Sequence, residues 1–218
     1  MTWRHKTYPG IKVDEVFGMD SKNGRVWIEL ARQIYCEQGE TDYRVIDHFN
    51  NGAPYLEGYP GRISVSHTTH LFVVATLPKT PEVNLDSFNP RAAMGIDTEP
   101  SHRSQVLKIR NKFLNEDEQT LIPGNDLKAN ILAWTAKEAL YKAAFMEGLD
   151  FRNAINIKKL PVVSSDPVRG SEEILGQGII IFPPESGIET QQMKLFSYES
   201  YGCYVTIAYS PKCAKFGK

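Results

Sequence analysis

An α+β fold is expected from three features of this 218-residue chain. Alternating residues that read as strands occupy 62–74; apolar residues at three- and four-residue spacing follow between 104 and 146; alternation then returns from 156 to 209. Strands, then helices, then strands again is not the regular alternation that builds a parallel sheet. The turn-rich run Gly52–Gly61 (GAPYLEGYPG) introduces the first alternating segment. After Leu77, the polar, three-proline stretch PKTPEVNLDSFNP ends at Pro90 and marks a break. Ala92 to Asp97 reads as a short buried strand that ends in an acid. From Ser104 to Leu121, Val106, Ile109, Phe113 and Leu114 recur at helical spacing. Asp126 is placed to cap a second helix from about Leu127 to Met146, with Gly148 beyond it as the stop. Asn156–Val163, Gly178–Phe182, Met193–Tyr198 and Cys203–Tyr209 are the strands expected in the tail.

Composition narrows the function classes. With 41% hydrophobic and 23% charged residues the balance is that of a globular protein. No window approaches the ~20 apolar residues of a membrane helix, so no membrane span is expected. The opening Met-Thr-Trp-Arg-His-Lys lacks the apolar core of a secretory leader. A net charge of −1 gives no bulk attraction to nucleic acid or anionic lipid. Cys36, Cys203 and Cys213 are odd in number and form no CxxC, which argues against a disulfide framework and for a cytoplasmic setting. GxGxxG, GxxxxGK[ST] and GxSxG are absent from the sequence, so Rossmann, P-loop and nucleophile-elbow chemistry lack their signatures.

Three clusters carry chemistry. In Gly95-Ile96-Asp97-Thr98-Glu99-Pro100 two acids two residues apart on an extended chain project to the same side. Paired carboxylates suit a hard divalent cation, although a strand entering a solvated turn has the same look. In Trp134-Thr135-Ala136-Lys137-Glu138-Ala139-Leu140-Tyr141-Lys142, helical geometry gathers Leu132, Ala136, Ala139, Leu140 and Ala143 on one face. Trp134, Lys137, Glu138, Tyr141 and Lys142 gather on the other. An ordinary surface helix stitched by a Glu138–Lys142 pair would also fit, but two large aromatics on that face argue against it. In Ile63-Ser64-Val65-Ser66-His67-Thr68-Thr69-His70, Ser66, His67 and Thr68 offer phosphate donors. His67 and His70 lack a nearby third ligand, which makes a zinc pair the lesser alternative. Together the clusters supply acids for a metal and cations and hydroxyls for phosphates, the inventory of a Mg²⁺-dependent site acting on a phosphoanhydride.

The ordered series Gly52-Ala53-Pro54-Tyr55, Val65-Ser66-His67-Thr68, Gly95-Ile96-Asp97-Thr98-Glu99 and Trp134-x-x-Lys137-Glu138-Ala139-x-x-Lys142 resembles the 4′-phosphopantetheinyl transferase superfamily. Chain length is similar to its longer, surfactin-synthetase-activating type. The resemblance implies a pseudo-dimer of two similar subdomains, 1–92 and 93–218, each a small antiparallel sheet packed with helices, acting as a monomer. It implies Asp97, Glu99 and Glu138 as the Mg²⁺ acids, with Glu138 also the base. Lys137 and Lys142 would hold coenzyme A phosphates, Lys142 also serving the leaving group, and Ser66, His67 and Thr68 would contact the 3′-phosphate end. The reaction implied is attack by a serine of an apo acyl or peptidyl carrier protein on coenzyme A, releasing 3′,5′-ADP. Fatty acid, polyketide and nonribosomal peptide synthesis are the pathways that such a step serves.

The chain departs from the family pattern at Ala53, where a lysine is common, and in ending its serine–histidine motif on Thr68. Thr98 replaces a commoner isoleucine and is expected to face away from the acids. Lys22, Arg25 and Arg32 are the basic residues expected to reach the 3′-phosphate from the amino-terminal region. Arg103, Lys108, Arg110 and Lys112, with Phe113 as an apolar anchor, are the expected docking face for an acidic carrier. Two other readings use the same residues: a Mg²⁺-dependent phosphohydrolase of coenzyme A or a nucleotide, and a non-catalytic binder of coenzyme A or a carrier protein. Neither needs the full set of Asp97, Glu99, Glu138 and Lys142 together with a protein partner.

Overall fold

The structure, a computed structural model, describes residues 2–8, 11–18, 46–56, 59, 61–77, 88, 89, 92–164 and 173–213. It is α+β, with antiparallel sheets and three α-helices among the described residues. Lys22, Arg25, Arg32, Cys36 and most of the proline-rich stretch before Pro90 lie outside them.

The first sheet combines β1 (Thr2–Tyr8), β2 (Ile11–Phe17), β5 (Ile63–His67) and β6 (Leu71–Thr76) in the order β1-β2-β6-β5. A small hairpin of β3 (Ile46–His48) and β4 (Pro54–Leu56) stands beside it, turned at Gly52, whose φ of +75° suits a residue without Cβ. The second sheet combines β7 (Met94–Pro100), β8 (Ile155–Lys159), β10 (Gly176–Ile180), β11 (Gln191–Ser200) and β12 (Cys203–Tyr209) in the order β7-β12-β11-β10-β8. The short β9 (Val163–Ser164) adds to β11 in parallel. The expected strand over 156–163 is therefore two strands with a break at Leu160–Val162, where Pro161 supplies no ladder N–H.

The helical region also divides. α1 (Gln105–Phe113) stops at Leu114 and α2 (Glu116–Leu121) restarts at once, where one continuous pattern had pointed to a single helix. Asn115 forces the restart: its side chain accepts from the Glu118 amide (3.0 Å) and Glu118 reaches back to the Asn115 amide (2.9 Å), a reciprocal cap. α3 (Leu127–Ala144) is capped by Asp126, which accepts from the Ala129 amide at 3.0 Å. It ends two residues before the expected Met146, because Phe145 turns left-handed with φ 52°.

Burial follows the predicted apolar face, but Lys137, expected on the polar face, is buried as well. Ala136, Ala139, Leu140 and Ala143 of α3 are buried against the second sheet, with Phe113, Ile155 and Leu195 in the same core. On its other side, that sheet packs Ile96, Val205, Ile207 and Tyr198 against Ile11, Val13, Val73 and Ala75 of the first. Buried Glu15 links the sheets, accepting from Lys6 Nζ (3.0 Å) and Ser200 Oγ (2.8 Å). No helix among the described residues is long and apolar enough to cross a membrane.

Candidate functional site

β5 and β7 are edge strands of different sheets that run past each other. Alternation places Ser64 and Ser66 on one side of β5, and both hydroxyls meet the outer edge of β7. Ser64 Oγ accepts from the Ile96 amide at 3.0 Å; Ser66 Oγ accepts from the Thr98 amide at 3.2 Å and donates to Asp97 Oδ1 at 2.8 Å. Edge amides that would otherwise lack partners are thus satisfied by side chains.

α3 crosses close behind this seam because Gly95 has no side chain. A Cβ there would fall on the Ala139 carbonyl oxygen and within 2.7 Å of the Ala143 nitrogen. That proximity brings Lys142 Nζ to Asp97 Oδ1 (2.7 Å) and to the Ile96 carbonyl (3.1 Å). Asp97 Oδ1 therefore accepts twice, while Oδ2 is buried without a hydrogen-bond partner. Glu138, one turn before Lys142, is half-buried. Burial first, then the charge of Asp97, raises its carboxyl above the usual range, against the opposing pull of Lys142 and Arg103. An orphaned carboxylate oxygen beside a carboxyl pushed upward by its neighbour is an environment that a divalent cation relieves.

Glu99 does not share this arrangement. Its Oε1 accepts from Arg103 and from Trp134 Nε1 (3.0 Å). Among the described residues no group of three or more His, Cys, Asp or Glu is arranged to hold a metal ion. Asp97, Glu99 and Glu138 are the oxygen donors expected for Mg²⁺, and of these Asp97 keeps Oδ2 buried without a hydrogen-bond partner.

Glu138 and Lys142 line a cleft of about 440 Å³, with Asp97 behind Lys142. The Asn51–Pro54 turn, Ser66, His67, Glu138, Lys142 and Phe145 are among its walls. His67 is exposed at the rim, its ring stacked over Phe72 at 6.0 Å. Thr68 turns away: its hydroxyl accepts from the Leu71 amide (3.0 Å) and faces a shallower hollow beside Glu99 and Arg103.

Lys137 also stays apart from the cleft. It is fully buried, and Nζ bonds Glu118 Oε2 (2.7 Å), the Arg152 carbonyl (3.1 Å) and the Phe113 carbonyl. At 100° per residue, Lys137 and Lys142 lie on opposite borders of the polar face, and the Lys137 border meets α1 and α2. Burial lowers its pKa, with Glu118 opposing.

The expected docking face is smaller than its sequence suggested. Lys108 and Lys112 are exposed, but Arg103 engages Glu99, and Arg110 donates to the Ile122 carbonyl (2.7 Å) and Asn130 Oδ1 (3.3 Å). Phe113 is buried edge-on against Trp134, with ring centroids 5.0 Å apart, and cannot serve as an exposed anchor.

Two residues of consequence escaped the sequence reading. Glu118 was legible in the Asn115-x-x-Glu118 spacing of a capping box. Arg62, whose side chain lines the cleft, stands alone before an alternating strand and carries no pattern.

Residues 93–183 match the family model of the 4′-phosphopantetheinyl transferase superfamily. That span takes in the whole of β7 and α3. No curated protein matches the chain.

Proposed function

Taking residues 93–183 as a 4′-phosphopantetheinyl transferase superfamily domain, we propose that the protein transfers the phosphopantetheine arm of coenzyme A to a serine of an apo acyl or peptidyl carrier protein. The second product is 3′,5′-ADP. The observation that carries this reading is the meeting of the two motifs, Lys142 on Asp97 at 2.7 Å, beside a cleft that Lys142 and Glu138 line.

Each residue then has a task. Glu138, whose carboxyl burial and Asp97 push up, takes the proton of the attacking serine hydroxyl. Lys142, held by Asp97 and the Ile96 carbonyl, has a third N–H for the phosphate oxygens of the departing nucleotide. Ser66 fixes the orientation of Asp97. Asp97, Glu99 and Glu138 would hold Mg²⁺, which neutralises charge on the transferring phosphate when bound. Positioning and charge neutralisation suffice for this class of transfer.

We read the chain as two halves, 1–92 and 93–218, with the cleft at their junction, working as a cytoplasmic monomer. Exposed Lys108 and Lys112 are the cations left to meet an acidic carrier. The test is incubation with Mg²⁺, coenzyme A and an apo carrier, followed by intact mass of the carrier. A phosphopantetheine adduct is expected, reduced about 100-fold or more in rate for Glu138→Gln. Release of 3′,5′-ADP without carrier would instead identify a hydrolase.

A further inference from the structure

Trp134, Glu138 and Lys142 follow one another at four-residue spacing, about one turn, along α3. Opposite them, alternation puts Glu99 and Asp97 on one side of β7. Trp134 Nε1 donates to Glu99 Oε1 at 3.0 Å and Lys142 Nζ to Asp97 Oδ1 at 2.7 Å, so the two rows run in opposite directions and Glu138 falls between the two bonds. Three carboxylates gathered in this way repel one another unless a cation stands with them.

Lys142 answers at the Asp97 end, where the Ile96 carbonyl also holds it at 3.1 Å. Arg103 answers at the Glu99 end, from the turn between β7 and α1. Its guanidinium pairs with Glu99 Oε1 and lies 5.8 Å from the centre of the Trp134 ring. Its charge reaches Glu138 as well: burial and Asp97 push that carboxyl up, while Lys142 and Arg103 pull it down. Yet the Arg103 side chain is 33% exposed and borders the hollow formed with Thr68, His102 and Gln105, so it has room to turn outward. A guanidinium does not shed its proton near neutrality and can release a carboxylate only by moving. A divalent cation on the same acids repels it, and the two therefore compete.

This inference rests on the transferase reading, in which Asp97, Glu99 and Glu138 would hold Mg²⁺. We infer that Arg103 is a displaceable counter-ion of that site: it neutralises the acids without metal, and it withdraws from Glu99 into the hollow when all three acids take a divalent cation.

Mn²⁺ binding to the full chain without coenzyme A, read from loss of the free-ion electron paramagnetic resonance signal, tests it. Arg103→Gln is expected to bind Mn²⁺ about fivefold or more tightly than wild type, with Arg103→Lys between them. Lys128→Gln, which removes an exposed cation from the first turn of α3, should stay within about twofold of wild type. Urea unfolding supplies a second readout. Arg103→Gln should unfold earlier than wild type in chelator, and saturating Mn²⁺ should close that gap; a gap that Mn²⁺ leaves unchanged would make Arg103 merely structural and overturn the inference. Should Arg103→Gln not fold, Arg103→Lys decides. An equal gain for Lys128→Gln would assign the effect to net charge and overturn it too. Wild type and variants that all bind no Mn²⁺ would remove the metal from the transferase reading along with this inference, whereas wild-type binding with Arg103→Gln unchanged or weaker would remove only the role of Arg103.

Discussion

Lys142 rests on Asp97 at the cleft, whereas Lys137 spends its ammonium on Glu118 and two carbonyls inside the protein. Both stand in the same short motif, and residue type alone could not separate them. The deciding fact is which neighbours the helix meets on each border. Glu118 is shared: Oε2 takes Lys137 and the Asn115 amide, and Oε1 takes the Ile157 amide at 2.7 Å. Lys137→Met leaves this carboxylate buried and unpaired, and should cost about 3–5 kcal/mol in urea unfolding. Lys137→Met with Glu118→Gln should recover much of that stability and of the transfer rate. A double variant that regains stability but not transfer would mean that Lys137 acts on the substrate. Glu138 gives a second residue-scale prediction. Its folded pKa lies above the ordinary 4.5, so the folded state holds a proton that the unfolded state releases. Stability therefore falls as pH rises from about 4.5 through the raised value. In metal-free buffer Glu138→Gln should unfold at higher urea than wild type at pH 7, with the gap closing toward pH 4; a gap independent of pH would contradict it.

At the scale of elements, Lys137 is buried although predicted on the polar face of α3, but the opposite alanine stripe was legible from 100° periodicity. The break between α1 and α2 was less so, because Val106, Ile109, Phe113 and Leu114 keep helical spacing up to the break and only the Asn115 cap interrupts it. The closeness of α3 to β7 was invisible, since Gly95 shows its reason only when Ala139 and Ala143 are in place. Gly95→Ala would push a methyl into helix backbone, which cannot yield as a side-chain tip can. It should cost about 3 kcal/mol by thermal or urea unfolding. Transfer should fall as well, because the displaced helix carries both Glu138 and Lys142.

For the whole molecule, the sequence predicted an α+β chain, which the structure has; the strand expected to end at Asp97 instead runs Met94–Pro100, with Asp97 within its ladder. The sequence held no sign of which strand edges would meet. That depends on two sheets far apart in the chain packing one face each into a shared core. The encounter of β5 with β7 follows from that packing, and it turns an alternating Ser-x-Ser into a structural joint. Ser64→Ala leaves the Ile96 amide buried and unsatisfied, at a cost of about 1–3 kcal/mol. Ser66→Ala adds the loss of a bond to Asp97, so transfer should fall further for it than for Ser64→Ala.

Because that joint is made by hydroxyls rather than by a backbone ladder, opening it breaks no hydrogen bond within either sheet. The amide hydrogens of Ile96 and Thr98 are sealed from across the gap, not by their own sheet. Their exchange with deuterium would time the separation of the two sheets directly, and a molecule seated across the cleft would slow these two positions before any other in β7.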